Sequence, residues 1–277
     1  MTAAGELRQL LARKQLLRAP GVFDGVSAHV ARRAGFHAVY LTGAGTAAFG
    51  FGLPDIGLVT QSEMAERARH IVEAAGVPVI ADADTGFGSP RNAIRTVHEY
   101  EQSGVAAIQL EDQVFPKRCG HLAGKEVVTV DTFLRTLDAA LNARRGDTVI
   151  IARTDALGPE GLNEGLNRAH RYAAAGADLI FVEAPQTVEQ IERIATEVNA
   201  PLLFNVVPGG TTPPIDDTRL EELGFAVAIY PGALMMPATT AMLQAAADLT
   251  GAAYEAINSP ADLFQVVDID SWKDADA

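Results

Sequence analysis

The sequence predicts an α/β chain folded as one closed (β/α)8 barrel of the TIM type over residues 1–277, with an N-terminal helix and a C-terminal helical extension. Three observations predict it. A helix-to-strand turn built on glycine recurs along the chain, eight near-continuous apolar runs are each followed by enough residues for a helix, and polar residues gather where those runs end. At 277 residues and 48% hydrophobic content the chain can bury one large core, and α/β barrels run to about 250 residues as a single domain.

The opening segment spaces Leu7, Leu10, Leu11 and Leu17 helically among Arg8, Arg13, Lys14 and Arg18, which predicts an amphipathic helix packed on the domain. It lacks the unbroken apolar core of a signal peptide, and Glu6 together with Pro20-Gly21-Val22-Phe23 suits mature structure better than a transit peptide. The recurring turn is seen at Ala34-Gly35, Ala75-Gly76, Ser103-Gly104, Ala175-Gly176 and Leu223-Gly224, each passing into a β-branched or aromatic apolar run. Glycine just past a helix end accepts the left-handed conformation that turns the chain into the next strand. Adding Gly21-Val22-Phe23, Thr148–Ala152 and Pro201–Phe204 completes eight runs. Continuous apolar runs mark strands covered on both faces, as in a parallel sheet. An open doubly wound sheet is the structural competitor. No Pro/Gly/Ser-rich linker divides the chain.

The runs end at Asp24, Thr42-Gly43, Asp82 and Asp84, Glu111, Arg153 and Asp155, Glu183, Asn205, and Tyr230-Pro231. A closed barrel brings all eight ends to one rim, where barrel enzymes assemble their sites, and an open sheet does not. The net charge of −13, with scattered cations, argues against nucleic acid and anionic membranes as partners. No apolar run reaches the roughly 20 residues of a membrane span. The lone Cys119 excludes an internal disulfide framework and predicts a reducing, cytoplasmic setting.

Asp82 and Asp84 are two apart, so a strand continuing through both would face them the same way. Facing carboxylates need a cation between them. With Glu111 as a third oxygen donor and no Cys/His cluster, that cation is a hard ion such as Mg²⁺ rather than Zn²⁺. The competing reading is helix N-capping by these acids. In Glu111–His121 the only cysteine lies between Arg118 and His121, next to Gly120. Such surroundings lower a thiol pKa and suit a proton donor or nucleophile, the alternative being an incidental thiol in a basic surface loop.

Together Tyr40–Gly45, Leu53-Pro54-Asp55, Ala81–Gly88, Glu111-Asp112-Gln113, Lys117–His121 and Ala152–Ala156 resemble the isocitrate lyase/phosphoenolpyruvate mutase superfamily over essentially the whole chain. The resemblance is greatest to members acting on methylisocitrate and 2,3-dimethylmalate. It implies Mg²⁺, with Mn²⁺ as a substitute, held directly or through water by Asp82, Asp84, Glu111 and Asp55. It further implies that backbone N–H groups of Thr42, Gly43 and Ala44 cradle a 2-oxo acid, that Arg153 grips a carboxylate, and that Glu183 and Asn205 complete the pocket. The loop Lys117–His121 would close over a small carboxylate substrate with Cys119 acting in catalysis, flanked by Lys117, Arg118 and His121. Tyr40 and Glu111 are the candidates for the base. The family also implies a homotetramer in which a C-terminal helix, here residues 240–265, is exchanged between subunits.

Mutases and P–C hydrolases of this fold generally lack that cysteine, which points to a carbon–carbon lyase acting on a 2-hydroxy di- or tricarboxylic acid. Oxaloacetate hydrolases of the family place a serine after the eighth strand, where this chain has Pro231 and Pro237. Asn205–Pro214 also departs from the methylisocitrate lyase pattern, so a dimethylmalate-like diacid stands beside methylisocitrate. A phosphonate enzyme of the same superfamily and a non-catalytic dicarboxylate sensor are the other readings. His37, His70, His98 and His170 read as surface or packing residues, and Trp272 with Asp268-Ile269-Asp270 as a terminal segment.

Overall fold

A computed structural model of the chain describes residues 1–120 and 124–276, with side chains through 272. The eight strands are β1 (Leu17–Val22), β2 (Val39–Leu41), β3 (Val79–Asp82), β4 (Ala107–Glu111), β5 (Val149–Thr154), β6 (Leu179–Val182), β7 (Leu202–Asn205) and β8 (Val227–Tyr230). Each pairs in parallel with the next, and β1 pairs with β8 through Leu17 to Val227 and Pro20 to Tyr230. The open sheet is thereby excluded.

Alternation along each strand separates two apolar layers, which is why the sequence runs look continuous. Ala19, Tyr40, Ile80, Ile151, Phe181, Leu203 and Ile229 point into the barrel. Val22, Leu41, Ala81, Ile108, Ile150, Val182 and Phe204 point out to the helices. The helix α1 (Ala3–Ala12) sets Leu7 and Leu10 against the interior cluster. Leu17 belongs to β1 rather than to the N-terminal helix, because the strand starts four residues before Gly21. Gly21 is required by barrel closure: a β-carbon there would stand 2.3 Å from the Pro231 carbonyl oxygen.

The surrounding helices are α2 (Gly25–Arg33), α3 (Gly43–Thr46), α4 (Gln61–Ala75), α5 (Pro90–Ser103), α6 (Val130–Ala143), α7 (Leu157–Glu160), α8 (Leu162–Ala174), α9 (Val188–Glu197), α10 (Asp217–Glu222), α11 (Gly232–Thr250) and α12 (Pro260–Val266). The predicted turn glycines Gly35, Gly76, Gly104, Gly176 and Gly224 all have positive φ. The expected helical region 240–265 is two helices: Gly251 stops α11 in the left-handed conformation. The α12 helix then buries Leu263 against Phe23, Met235 and Met236 at the barrel mouth, and also buries Phe264. His37, His70 and His170 are exposed, and His170 contacts the Glu197 carbonyl.

Candidate active site

The acids come together by a route different from the expected one. β3 stops at Asp82, and Asp84 sits in a turn with φ of 46° rather than on an extended strand. The turn nonetheless returns its carboxylate to the rim. A β-carbon on Gly43 would lie 2.7 Å from Asp82 Oδ2 and 3.6 Å from Asp84 Oδ1. Asp82 accepts from Gly43 N–H at 3.3 Å, Asp84 N–H at 3.2 Å and Gln109 Nε2 at 3.3 Å. Ser89 caps α5, so N-capping does not account for these acids. Capping does account for Asp24, which closes a capping box with Ser27.

The Lys117 ammonium is buried between Asp55 and Asp84, hydrogen-bonded to Asp55 and 2.9 Å from Asp84 Oδ1. Burial alone would lower its pKa, but Asp55 and Asp84 hold it well above the ordinary value. At the end of β4, buried Glu111 has Oε2 3.4 Å from Arg153 Nη1, while its Oε1 has no hydrogen-bond partner. Burial pushes Glu111 well up and Asp84 to about 6, against the opposing pull of Arg153 and Lys117 respectively. Among the described residues no three acids, cysteines or histidines are already drawn together as a metal cage. The donor set still fits a hard divalent cation: the charges of Asp55, Asp84, Glu111 and Asp82 all act on the Lys117 ammonium, the donors are oxygens only, and Glu111 keeps a buried unpaired oxygen.

Arg153 occupies the end of β5. Its Nε and Nη2 donate to Asp155 at 2.8 and 2.9 Å, and Nη2 lies 3.6 Å from Glu183 Oε1. The guanidinium also stacks 5.1 Å from the Phe181 ring centroid. Asn205 Nδ2 donates to Glu183 at 3.2 Å. Tyr40 donates its hydroxyl to Gln109 Oε1 at 3.3 Å, and burial followed by the Asp82 charge raises its pKa far above the ordinary value. It therefore meets a substrate as a neutral hydroxyl, which disfavours it as the base. The expected N–H cradle is also narrower than the motif implied. Thr42 spends its N–H on the Val22 carbonyl at 3.2 Å and its hydroxyl on Gly45 N–H, while Gly43 N–H faces Asp82.

The cysteine loop is docked over this rim. Cys119 N–H donates to the Asp55 carbonyl at 3.1 Å, and the Gln113 amide bonds both backbone groups of Arg118. Gly120 touches the Arg153–Glu183 pair so closely that a β-carbon would stand 2.4 Å from Arg153 Nη2 and 2.2 Å from Glu183 Oε1. Tyr40, Thr42, Ala44, Asp55, Asp82, Lys117, Cys119, Arg153, Glu183 and Asn205 line one cavity. Cys119 is thus more than an incidental surface thiol. Arg118 is exposed and is not among the lining residues, and His121 lies outside the described residues.

Three features of this site were assigned no role from the sequence. Met235, Met236, Pro260 and Phe264 line the cavity, and methionine or phenylalanine in a helix reads as core. Lys125 Nζ donates to the Gly120 carbonyl at 2.7 Å and to Asp155 at 2.8 Å. Asp112 is a buried hub accepting from Thr154, Asp155 N–H, Arg168 and Tyr172 at 2.7 to 3.0 Å. Asp112 stands in the Glu111-Asp112-Gln113 motif, which gave it no role of its own.

Residues 7–250 match the family model described as phosphoenolpyruvate phosphomutase. The chain belongs to the phosphoenolpyruvate mutase/isocitrate lyase superfamily. It is 49% identical over 244 residues to the 2,3-dimethylmalate lyase of Eubacterium barkeri, covering 88% of this chain and 84% of the relative. It is 47% identical to a probable 2-methylisocitrate lyase of Corynebacterium glutamicum, covering 88% and 79% respectively. A crystal structure of 2,3-dimethylmalate lyase superposes with a TM-score of 0.87 at 41% identity, covering 100% of this chain and 95% of that one. No helix among the described residues is long and apolar enough to cross a membrane.

Proposed function

We propose that this superfamily member, which its relatives identify as an oxo-acid-forming carbon–carbon lyase, cleaves an alkyl-bearing 2-hydroxy diacid of the 2,3-dimethylmalate or 2-methylisocitrate kind. The carrying observation is the mixed lining of the cavity. Asp55, Asp82, Lys117, Arg153 and Glu183 line it together with Val207, Ile229, Pro231, Met235, Met236 and Phe264, and Cys119 lines it from the loop. A carboxylate and hydroxyl suit the charged residues, and methyl or methylene groups suit the apolar ones.

Asp55, Asp82, Asp84 and Glu111 would hold Mg²⁺, with Mn²⁺ as a substitute. When bound, the ion supplies positive charge against which negative charge develops on the substrate's oxygen atoms. Arg153 binds a substrate carboxylate and is itself oriented by Asp155 and Glu183. The substrate hydroxyl loses its proton to a base, for which Tyr40 and Glu111 are the two candidates; of these Tyr40 lines the cavity. The C2–C3 bond breaks as the C2–O bond becomes a carbonyl, and the electron pair passes to C3 of the departing carboxylic acid. Cys119 Sγ–H delivers a proton to that carbon as general acid. Lys117 and Arg153 offset the anionic charge of the transition state. Arg118, which the resemblance places beside Cys119, does not line the cavity.

A phosphonate substrate would leave Cys119 without work. The family's oxaloacetate hydrolases carry serine where this chain offers Pro231, which lines the cavity, and Pro237, and this departure disfavours that hydrolysis. We further propose a cytoplasmic homotetramer with exchange of a C-terminal helix. Met242 and Leu249, exposed on α11, support an apolar face covered by another copy of the chain.

The test is formation of 2-oxo acid from 2,3-dimethylmalate, methylisocitrate, isocitrate, citramalate and oxaloacetate, with Mg²⁺ and with EDTA. Pyruvate from an alkyl-bearing acid, abolished by EDTA and restored by Mg²⁺, is the expected result. Product only from oxaloacetate, or none from any acid by protein that binds oxalate, refutes it.

A further inference from the structure

Lys125 takes no part in the chemistry above, yet it joins the two halves of the site. Its ammonium, with the side chain 7% exposed, donates to the Gly120 carbonyl at 2.7 Å and to Asp155 Oδ1 at 2.8 Å. Gly120 adjoins Cys119 on the loop, and Asp155 takes both Nε and Nη2 of Arg153. The geometry points to Lys125 as a positioning residue that holds the Cys119 loop and the Arg153 guanidinium in one fixed relation. This inference rests on the lyase reading of the site.

The charges around Arg153 explain why a second cation is needed. One guanidinium faces Glu111, Asp155 and Glu183, at 3.4, 2.8 and 3.6 Å. Lys125 shares Asp155 Oδ1 with Arg153 Nη2, so Asp155 is neutralised from two sides. Burial alone would raise the Asp155 pKa, but Arg153 and Lys125 hold it below the ordinary carboxylate range. Without Lys125, Asp155 would draw on Arg153 alone, and the Gly120 carbonyl would lose its tether. Gly120 is in contact with Arg153 Nη2 and Glu183 Oε1, so displacement of the loop frees the guanidinium as well. Cys119 and the carboxylate grip would then lose register together. Among the described residues, Lys125 is the side chain that hydrogen-bonds both the loop backbone next to Cys119 and the carboxylate that orients Arg153.

The experiment compares full-length wild type with Lys125→Met and Lys125→Arg in three readouts: turnover of the acid that wild type cleaves, oxalate affinity with Mg²⁺, and the rate of Cys119 alkylation by iodoacetamide. Loss of register of the kind expected costs about a hundredfold in rate. We expect Lys125→Met to lose kcat on that scale, to bind oxalate more weakly and to expose Cys119 to faster alkylation. Lys125→Arg restores most of kcat and Cys119 protection, because it keeps the charge and the reach. Unaltered kcat, oxalate affinity and alkylation in Lys125→Met overturn the inference. So does a fall in thermal midpoint in both variants without rescue by arginine, which marks a structural role. Oxalate binding and alkylation are read whether or not any acid is turned over, so failure of the lyase reading is distinct from failure of this one.

Discussion

At the scale of single residues, the site depends on buried charges whose partners are specific. Cys119 lines the cavity with its backbone held by Asp55, so Cys119→Ser should lower lyase turnover by about 10² to 10⁴, the range for a lost general acid. Mg²⁺-dependent oxalate binding should persist, and loss of that binding by calorimetry would move Cys119 out of the proton-donor role. Asp112 contributes differently. It accepts from Thr154 on β5, Asp155 N–H, Arg168 and Tyr172 on α8, so it locks the ends of β4 and β5 together. Removing one donor to a buried carboxylate costs about 1.5–3 kcal/mol, and removing its cation about 3–5 kcal/mol. In chemical denaturation Tyr172→Phe should therefore lose less stability than Arg168→Met. The reverse order would mean that Asp112 is held chiefly by its hydroxyl donors.

At the scale of elements, the loop following β4 is shaped by the residues it lands on. Gly120 has the Arg153–Glu183 pair where a side chain would be. Gly120→Ala should leave the fold intact, because the clash is confined to a loop and to side-chain ends. It should lower kcat by about a hundredfold through misplacement of Cys119. Wild-type kinetics in that variant would show that the loop acts from another position. The α12 helix has a similar standing. Its Leu263 is buried against Phe23, Met235 and Met236, and its buried Phe264 lines the cavity. Its placement is decided by packing at the barrel mouth, since its seven residues carry a capping box at Ser259 but no chemical motif.

At the scale of the whole molecule, folding gathers acids that repel one another. Burial raises Glu111 well above its ordinary value and Asp84 to about 6. A carboxylate with a raised folded-state pKa binds protons more tightly folded than unfolded. Its ionisation thus costs stability as pH rises from the unfolded value near 4 through about 6, and the cost is relieved as pH falls through the same window. A divalent cation bound by these acids removes that cost by favouring their ionised forms. The gain in thermal midpoint on adding Mg²⁺ should accordingly be larger at pH 8 than at pH 5. An equal gain at both pH values would place Mg²⁺ away from Asp84 and Glu111.

The sequence by itself determined the barrel and the rim. Helix-end glycines, apolar runs and capping residues act over a few neighbouring residues, so Gly35, Gly76, Gly104, Gly176 and Gly224 were legible as turns, and the strand ends at Asp82, Glu111, Arg153, Glu183 and Asn205 followed. What each rim residue touches was decided by tertiary structure. Asp84 reaches the site through a left-handed turn, Thr42 gives its N–H to Val22 on the neighbouring strand β1, and Lys117 inserts between Asp55 and Asp84. The pairing of Lys125 with Asp155 and the lining of the cavity by Phe264 likewise join segments far apart in the chain. Local spacing encodes an element and the face it presents. Contacts between elements depend on barrel closure and on where each loop finds room and opposite charge, which no single segment carries.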